Sequence, residues 1–374
     1  MEKIQKIYDL TELKYPKGNT IILDSFTKCK SVLDKDKYKK VLVSVSGGAD
    51  SDIMLDLVYR LDINNKCDYI WLDTGLEFGA TKEQIDYLCE KYKIDIIRYK
   101  APNNIIMATK KYGQPFLSKQ ASGMIEILQK MNFKFEDKSY EELCEEYLTE
   151  VNDEWQIEEM IEGGKRYVVV NDKYYVGTYG ALKWWCNQYE GKMFNISSIR
   201  YLKEFMIENP PKFKISDRCC KEVKKHSSKN MIHDGNYDLL ITGIRKAEHG
   251  IRSRSYKYCM VPGNKDRSYD IYMPLFWYTN SDKELYEIFY NISHSRCYTE
   301  YGYKRTGCVA CPFAGAEGVN YQLKVIKTQE PNLYKAAKYV FAESYSYTKE
   351  YYKYVQKRKK EDSLKKKKCK RQII

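Results

Sequence analysis

The chain has 374 residues, 43% of them hydrophobic, and a formal net charge of +13. That length buries a sizeable core in one large domain or two smaller ones, and no run of about 18 apolar residues is present to span a bilayer. The opening stretch MEKIQKIYDLTELKYPKGNT is charged and lacks the apolar core of a secretory signal, so a cytoplasmic protein is expected.

In chain order, residues 1–35 read as a helical N-terminal extension. VLVSVS (41–46) is short and almost continuously apolar, which predicts a strand buried in a parallel sheet. SDIMLDLVYRL follows with helical spacing. A second strand is expected in DYIWLDTG (68–75), a helix in ATKEQIDYLCEKY, and a third strand in IDIIRYKAP (94–102). This alternation predicts a doubly wound, mostly parallel α/β sheet, with 36–112 as its first part.

The alternation breaks over 113–195, read as an insertion. It is acidic and helical in SYEELCEEYLTEVNDEWQIEEMIEGG, then offers a hairpin in KRYVVVNDKYYVGTYG with Asn171-Asp172 at the turn. Ser118 and Lys119 in GQPFLSKQAS are either an ordinary solvated loop or a substrate-phosphate contact. LKWWCNQY reads as a core plug rather than a base-stacking platform. Over 196–318 the sheet resumes, with a strand in YDLLITGIR (237–245) and a helix in SDKELYEIFYNI (281–292). Residues 319–356 read as C-terminal helices. The basic tail, 357–374, holds ten Lys or Arg against two acids in KRKKEDSLKKKKCKR. Its bland reading is a solvated, disordered segment; its functional reading is an electrostatic handle for nucleic acid.

Ser46-Gly47-Gly48 stands between a buried strand and a helix. Glycines there permit positive φ and close approach of backbone N–H groups to an oxyanion, and the helix N-terminus adds partial positive charge. The Gly-Lys-Ser/Thr ending of a Walker loop is absent, as is the dinucleotide GxGxxG spacing. SGGADS (46–51) resembles the SGGxDS motif of the PP-loop ATP pyrophosphatases. YIWLDTGLEFGATKEQIDYL, ITGIRKAEHGIRSR (241–254) and MPLFWYTNSDKELYEIF resemble, in the same order, segments of the phosphoadenosine phosphosulfate (PAPS) reductase family. The resemblance covers roughly 40–102 and 215–315.

It implies an adenine nucleotide alpha hydrolase-like fold and a nucleotide held by Ser44, Ser46, Gly47, Gly48, Asp50, Ser51, Asp73, Thr74, Gly75, Gly243 and Arg245. Asp50, Ser51, Arg245 and Arg252 are the expected catalytic residues, with Asp73 available to Mg²⁺ and the arginines to a phosphate. His249 departs from the family, which has serine there.

Of twelve cysteines, Cys219-Cys220 and Cys308-x-x-Cys311 stand out. Within this family the pattern resembles the [4Fe-4S] ligand set of adenosine phosphosulfate (APS) reductases and of the PP-loop protein of DNA phosphorothioation. Structural zinc and unligated thiols are the alternatives. Arg218, Lys221, Lys224, Lys225 and Arg305 would favour the thiolates. The resemblance thus implies ATP cleavage to AMP and pyrophosphate, adenylating an acceptor such as nucleic acid for sulfur transfer. A cysteine desulfurase or thioredoxin-like protein would donate the sulfur, and a homo-oligomer is allowed for. The competing readings are an APS/PAPS reductase releasing sulfite, with Cys369 the one tail cysteine, and a non-turnover regulatory or defence module.

Overall fold

In the computed structural model, the described residues are 4–148, 157–162, 165–170, 173–174, 178–248, 255–265 and 267–371. The chain divides into two compact units, Met1–Asn104 with Glu222–Val309, and Ile105–Lys221 with Ala310–Ile374.

The first unit contains α1 (Thr20–Leu33), β1 (Val41–Val45), α2 (Ala49–Leu61), β2 (Cys67–Asp73), α3 (Gly79–Tyr92) and β3 (Ile96–Lys100). After the second unit's first segment it resumes with α4 (Ser227–Asp234), β4 (Leu239–Ile241), β5 (Met260–Val261), β6 (Asp270–Tyr272), α5 (Asn280–Phe289) and α6 (Arg296–Thr299). Six strands form one sheet in the order β3-β2-β1-β4-β6-β5, parallel except for β5, which runs antiparallel to β6. The α/β, doubly wound fold expected from the alternation is therefore present.

The period of two along β1 assigns its faces. Val41, Val43 and Val45 join Ile53, Met54 and Leu57 of α2 and Phe26 of α1 in the main core. Leu42 turns the other way, into a smaller cluster with Ile70 of β2 and Met231 and Ile232 of α4. Helices thus cover both faces, as a parallel sheet requires. Chain order runs outward from β1 through β2 to β3, then returns to β4 on the opposite side of β1. The strand order reverses between β1 and β4, and ligands of open α/β sheets gather at the carboxyl ends of such a pair.

One buried carboxylate braces α2. Asp56, fully buried, accepts from Arg60 Nε at 2.7 Å, Tyr92 Oη at 2.9 Å and Tyr286 Oη at 2.8 Å. α5 starts on a capping box, in which Thr279 and Asp282 satisfy each other's backbone N–H groups.

The second unit has its own core, including Phe116, Ile125, Leu128, Trp184, Trp185, Phe205, Tyr347 and Tyr351. Trp184 and Trp185 are buried, as the core-plug reading expects, and Trp185 Nε1 donates to the Glu136 carbonyl at 3.0 Å. Two expectations need correction. The acidic stretch is not helical throughout: Ile157–Glu162 is a strand antiparallel to Lys165–Val170. Acidic residues are poor strand formers, and only the partner strand supplies the ladder bonds that outweigh this. Lys165–Val170 also pairs antiparallel with Lys173–Tyr174, while Asn171-Asp172 lie outside the described residues. The tail is not coil, because a single helix runs over Ala342–Arg371. Its amino-terminal part is anchored by Tyr347, Tyr351 and Val355 in the second core. No described helix is long and apolar enough to cross a membrane.

Candidate functional site

β1 ends at Val45, and the chain turns through Ser46-Gly47-Gly48 into α2. Gly47 has φ +65°, and a Cβ on it would lie 2.8 Å from Thr81 Cγ2. Both the backbone conformation and the space demand glycine. The turn is closed by Ser51 Oγ, which accepts from Ser46 N at 2.8 Å, while Ser46 Oγ faces Gly48 N at 3.3 Å. Gly48 caps α2 without a side-chain hydrogen bond. The first N–H groups of a helix have no intrahelical partner, so the turn presents donors and a positive dipole end together.

Three hydroxyls converge on it. The position a Gly48 Cβ would take lies 3.2 Å from Ser46 Oγ, 3.2 Å from Tyr298 Oη and 3.4 Å from Thr306 Oγ1. Tyr298 Oη is 3.2 Å from Thr306 Oγ1, and burial raises the phenol above its ordinary range. The carboxyl end of β4 closes against the same turn. A Cβ on Gly243 would be 3.0 Å from the Asp50 carbonyl oxygen and 3.4 Å from Ser51 Cα, so glycine is what lets the two segments touch.

Asp50, in the first turn of α2, meets two cations. Arg245 Nε is 3.0 Å and Lys283 Nζ 3.3 Å from its Oδ1. Neither Arg245 Nε nor Asp50 Oδ1 makes an aligned hydrogen bond, so the pairing is coulombic rather than directional. Glu248 lies beside them, accepting from Arg245 N at 3.2 Å and pairing with Arg305 Nη2 at 2.8 Å. Burial and the adjacent Asp50 carboxylate raise Glu248 above the usual carboxylate range.

Beneath this lies a row of charges that the sequence did not reveal. Asp52, fully buried, accepts from Gln84 Nε2 at 3.1 Å and sits 2.9 Å from His294 Nδ1. His294 Nε2 is 2.8 Å from Glu287 Oε1, and Glu287 is 3.6 Å from Lys283. Burial pushes Asp52 up to about 6 against the pull of His294 and Gln84. Burial works against a charged His294, but its two carboxylate partners outweigh this and raise it to about 9. Between those limits both groups are ionised. Lys283, His294, Tyr298 and Thr306 all lie more than 230 residues beyond the turn in sequence, and only Lys283 falls in a segment singled out above.

At the end of β2, Asp73 Oδ1 accepts from Gly75 N at 2.9 Å, and Thr74 Oγ1 donates to Glu77 at 2.5 Å. Thr74 Oγ1 is 3.9 Å from Cys308 Sγ. Cys219 is buried, Cys220 opens a π-helical turn (Cys220–His226), and Cys311 precedes the 3₁₀ turn Pro312–Ala314. Among the described residues no group of three or more His, Cys, Asp or Glu is arranged to hold a metal ion. The four-thiolate expectation therefore gains nothing beyond its spacing.

Several basic residues expected to serve the cysteines also have acidic partners. Lys221 pairs with Asp217 at 2.8 Å, Arg305 with Glu248, and Lys224 faces Glu77. Arg218 stacks on Tyr112, its guanidinium carbon 4.3 Å from the ring centre. Ser44 lies within β1. Ser118 caps the helix Lys119–Lys130, accepting from Ala121 N at 3.1 Å, and Lys119 is exposed. Arg252 and His249 lie outside the described residues. The helix over Ala342–Arg371 contains Cys369.

Residues 40–141 match the phosphoadenosine phosphosulfate reductase domain family. An uncharacterized protein of Methanocaldococcus jannaschii, MJ0066, is 30% identical over 144 residues, which is 37% of this chain and 29% of that protein. The chain therefore spans under a third of that relative's length. A solved PAPS reductase of Candida auris, in a phosphate complex, is similar at a TM-score of 0.36 and 10% identity, over 79% of this chain and 97% of that one. The FMN adenylyltransferase of Candida glabrata, also solved with FMN and an ATP analogue, gives 0.39 and 9%, over 80% and 67%. The segment of β1, the glycine turn, β2 and β3 thus carries a PAPS reductase-like domain match.

Proposed function

We propose that the first unit binds an adenine nucleotide with its phosphates on the turn Ser46–Ser51 and cleaves ATP to AMP and pyrophosphate. The observation that carries this is Gly47 at φ +65° leading into the α2 N-terminus, at the β1/β4 reversal of strand order. An oxygen of the acceptor attacks the α-phosphorus, the bond to the bridging oxygen breaks, and pyrophosphate leaves with that electron pair. The chain's own share is positioning and charge neutralisation. The N–H groups of the turn hold the leaving pyrophosphate, with Ser46 and Ser51 fixing its shape. Asp50 orders the cations around it, and Arg245 holds Asp50. Asp73, which has one oxygen on the Gly75 amide, would hold Mg²⁺ together with the phosphates. Arg252 is assigned a phosphate contact on its motif alone.

The persulfide of a donor protein such as a cysteine desulfurase would then attack the adenylated centre and displace AMP, and a thiol of a thioredoxin-like protein would cleave the resulting disulfide to leave the sulfur on the acceptor. Nucleic acid is the acceptor suggested by the ten basic residues over 357–371. Cys219, Cys220, Cys308 and Cys311 are assigned to a [4Fe-4S] cluster on their sequence spacing; a cluster would bind or relay the sulfur. Iron and acid-labile sulfide analysis of anaerobically purified protein tests this, and zinc without iron overturns it.

The domain match over residues 40–141 favours a second reading, two-electron reduction of APS or PAPS by a thioredoxin-like dithiol, which releases sulfite and the adenosine phosphate and leaves the dithiol as a disulfide. One assay separates the two. The first reading expects pyrophosphate from ATP, abolished by Asp50→Ala; the second expects sulfite from a sulfonucleotide and no pyrophosphate. Pyrophosphate release untouched by Asp50→Ala removes the role given to the turn.

A further inference from the structure

Arg245 and Lys283 approach the same oxygen of Asp50, yet they are held differently. The Arg245 guanidinium is walled in. Its Nη1 lies 3.4 Å from the Tyr278 carbonyl, 3.3 Å from that of Thr279 and 3.2 Å from Asn280 Oδ1, and its side chain is 7% exposed. These contacts tie it to the start of α5. Lys283 stands in the first turn of the same helix, 21% exposed. Its ion pairs are to two carboxylates, Asp50 at 3.3 Å and Glu287 at 3.6 Å. Neither tie is strong. Asp50 Oδ1 has no aligned hydrogen bond although it is buried, and Glu287 is already engaged by His294 at 2.8 Å.

We infer that Lys283 is the phosphate-binding cation of this site: it leaves Asp50 for the terminal phosphates of a nucleoside triphosphate, while Arg245 stays on Asp50 as a positioning residue. A compact ammonium on a four-carbon stem can move between an aspartate and a phosphate, whereas a guanidinium fixed by three oxygens cannot do so without breaking all of them. A triphosphate carries more charge than one carboxylate and competes well for the ammonium. Asp50 is not left bare when Lys283 moves, because Arg245 Nε remains 3.0 Å away. Glu287, released from Lys283, keeps His294. The arrangement therefore exchanges two loose ion pairs for one with a more highly charged partner, without stranding a buried charge.

This inference rests on the nucleotide reading above. The test is calorimetric titration of the full chain with ATP, ADP, AMP and adenosine, for wild type, Lys283→Met and Lys283→Arg. Losing one charge-assisted contact to phosphate weakens ATP binding by about tenfold or more. The expected pattern is that loss for ATP in Lys283→Met, a smaller one for ADP, none for AMP or adenosine, and recovery of most ATP affinity in Lys283→Arg. AMP and adenosine binding serve as the folding control. Unchanged ATP affinity in Lys283→Met overturns the inference, as does an equal loss for adenosine and ATP, which marks a purely structural role. A wild-type chain that fails to bind ATP removes the nucleotide reading itself, and the role of Lys283 with it.

Discussion

His294 offers the most quantitative prediction. The groups facing its ring are Asp52 and Glu287 at its two nitrogens, Gln84 beside Asp52, Lys283 beside Glu287, and the Tyr298 ring at 6.0 Å between centroids. In the folded chain it titrates near 9, against a reference value of 6.5. The folded state therefore holds this proton more tightly than the unfolded chain. The stabilisation is fully present below pH 6.5 and is lost as pH rises through 9. The difference corresponds to about 3 kcal/mol, and the side chain is only 14% exposed, so solvent screening removes little of it. Asp52 adds a separate fall at lower pH, between its reference 3.8 and about 6, because burial favours its neutral form.

The assay is a pH titration of histidine ring resonances in labelled protein. The chain has four histidines, so His294→Gln assigns the signal directly. Hydrogen exchange at β1 and α2 amides, followed from pH 6.5 to 9.5 and corrected for intrinsic rates, reads the stability change. Wild type is expected to lose about 3 kcal/mol of protection across that window, and His294→Gln much less. A ring that titrates at or below 6.5 refutes the reasoning, whatever the amides do.

Gly47→Ala is expected to lower nucleotide affinity and to destabilise the turn by about 1–2 kcal/mol, from positive φ and the 2.8 Å approach to Thr81. Thr81→Ala in the same chain should relieve the contact but not the backbone term; full rescue in a calorimetric binding assay contradicts this. Asp56→Ala leaves Arg60 without its carboxylate and two tyrosine hydroxyls without an acceptor. The expected cost is about 3–5 kcal/mol, read as a lowered calorimetric transition, and an unchanged transition rejects the bracing role.

The parts of this molecule that were readable in the sequence are those set by local pattern. β1 falls where continuous apolar residues predict a buried strand, and β2 and β3 lie within a residue or two of their expected positions. The turn was visible because glycine at positive φ leaves a mark in the sequence itself. The strand expected over 237–245 is only Leu239–Ile241. Its later residues leave the ladder because Gly243 must approach α2 and Arg245 must reach Asp50. Ile157–Glu162 was read as helix because acidic residues conceal a ladder that only a partner strand creates. Lys283, His294 and Tyr298 were missed for a related reason. Each belongs to the site by tertiary approach alone, and the helix over 281–292 was legible as a helix but not as a cation's address.

The most direct measurement is the structure of the chain in complex with a non-hydrolysable ATP analogue and Mg²⁺. The account predicts the β- and γ-phosphates on the amides of residues 47–51, with Arg245 still on Asp50 and Lys283 turned to the phosphates. A nucleotide seated elsewhere, with the Ser46–Ser51 turn carrying no phosphate oxygen, contradicts it.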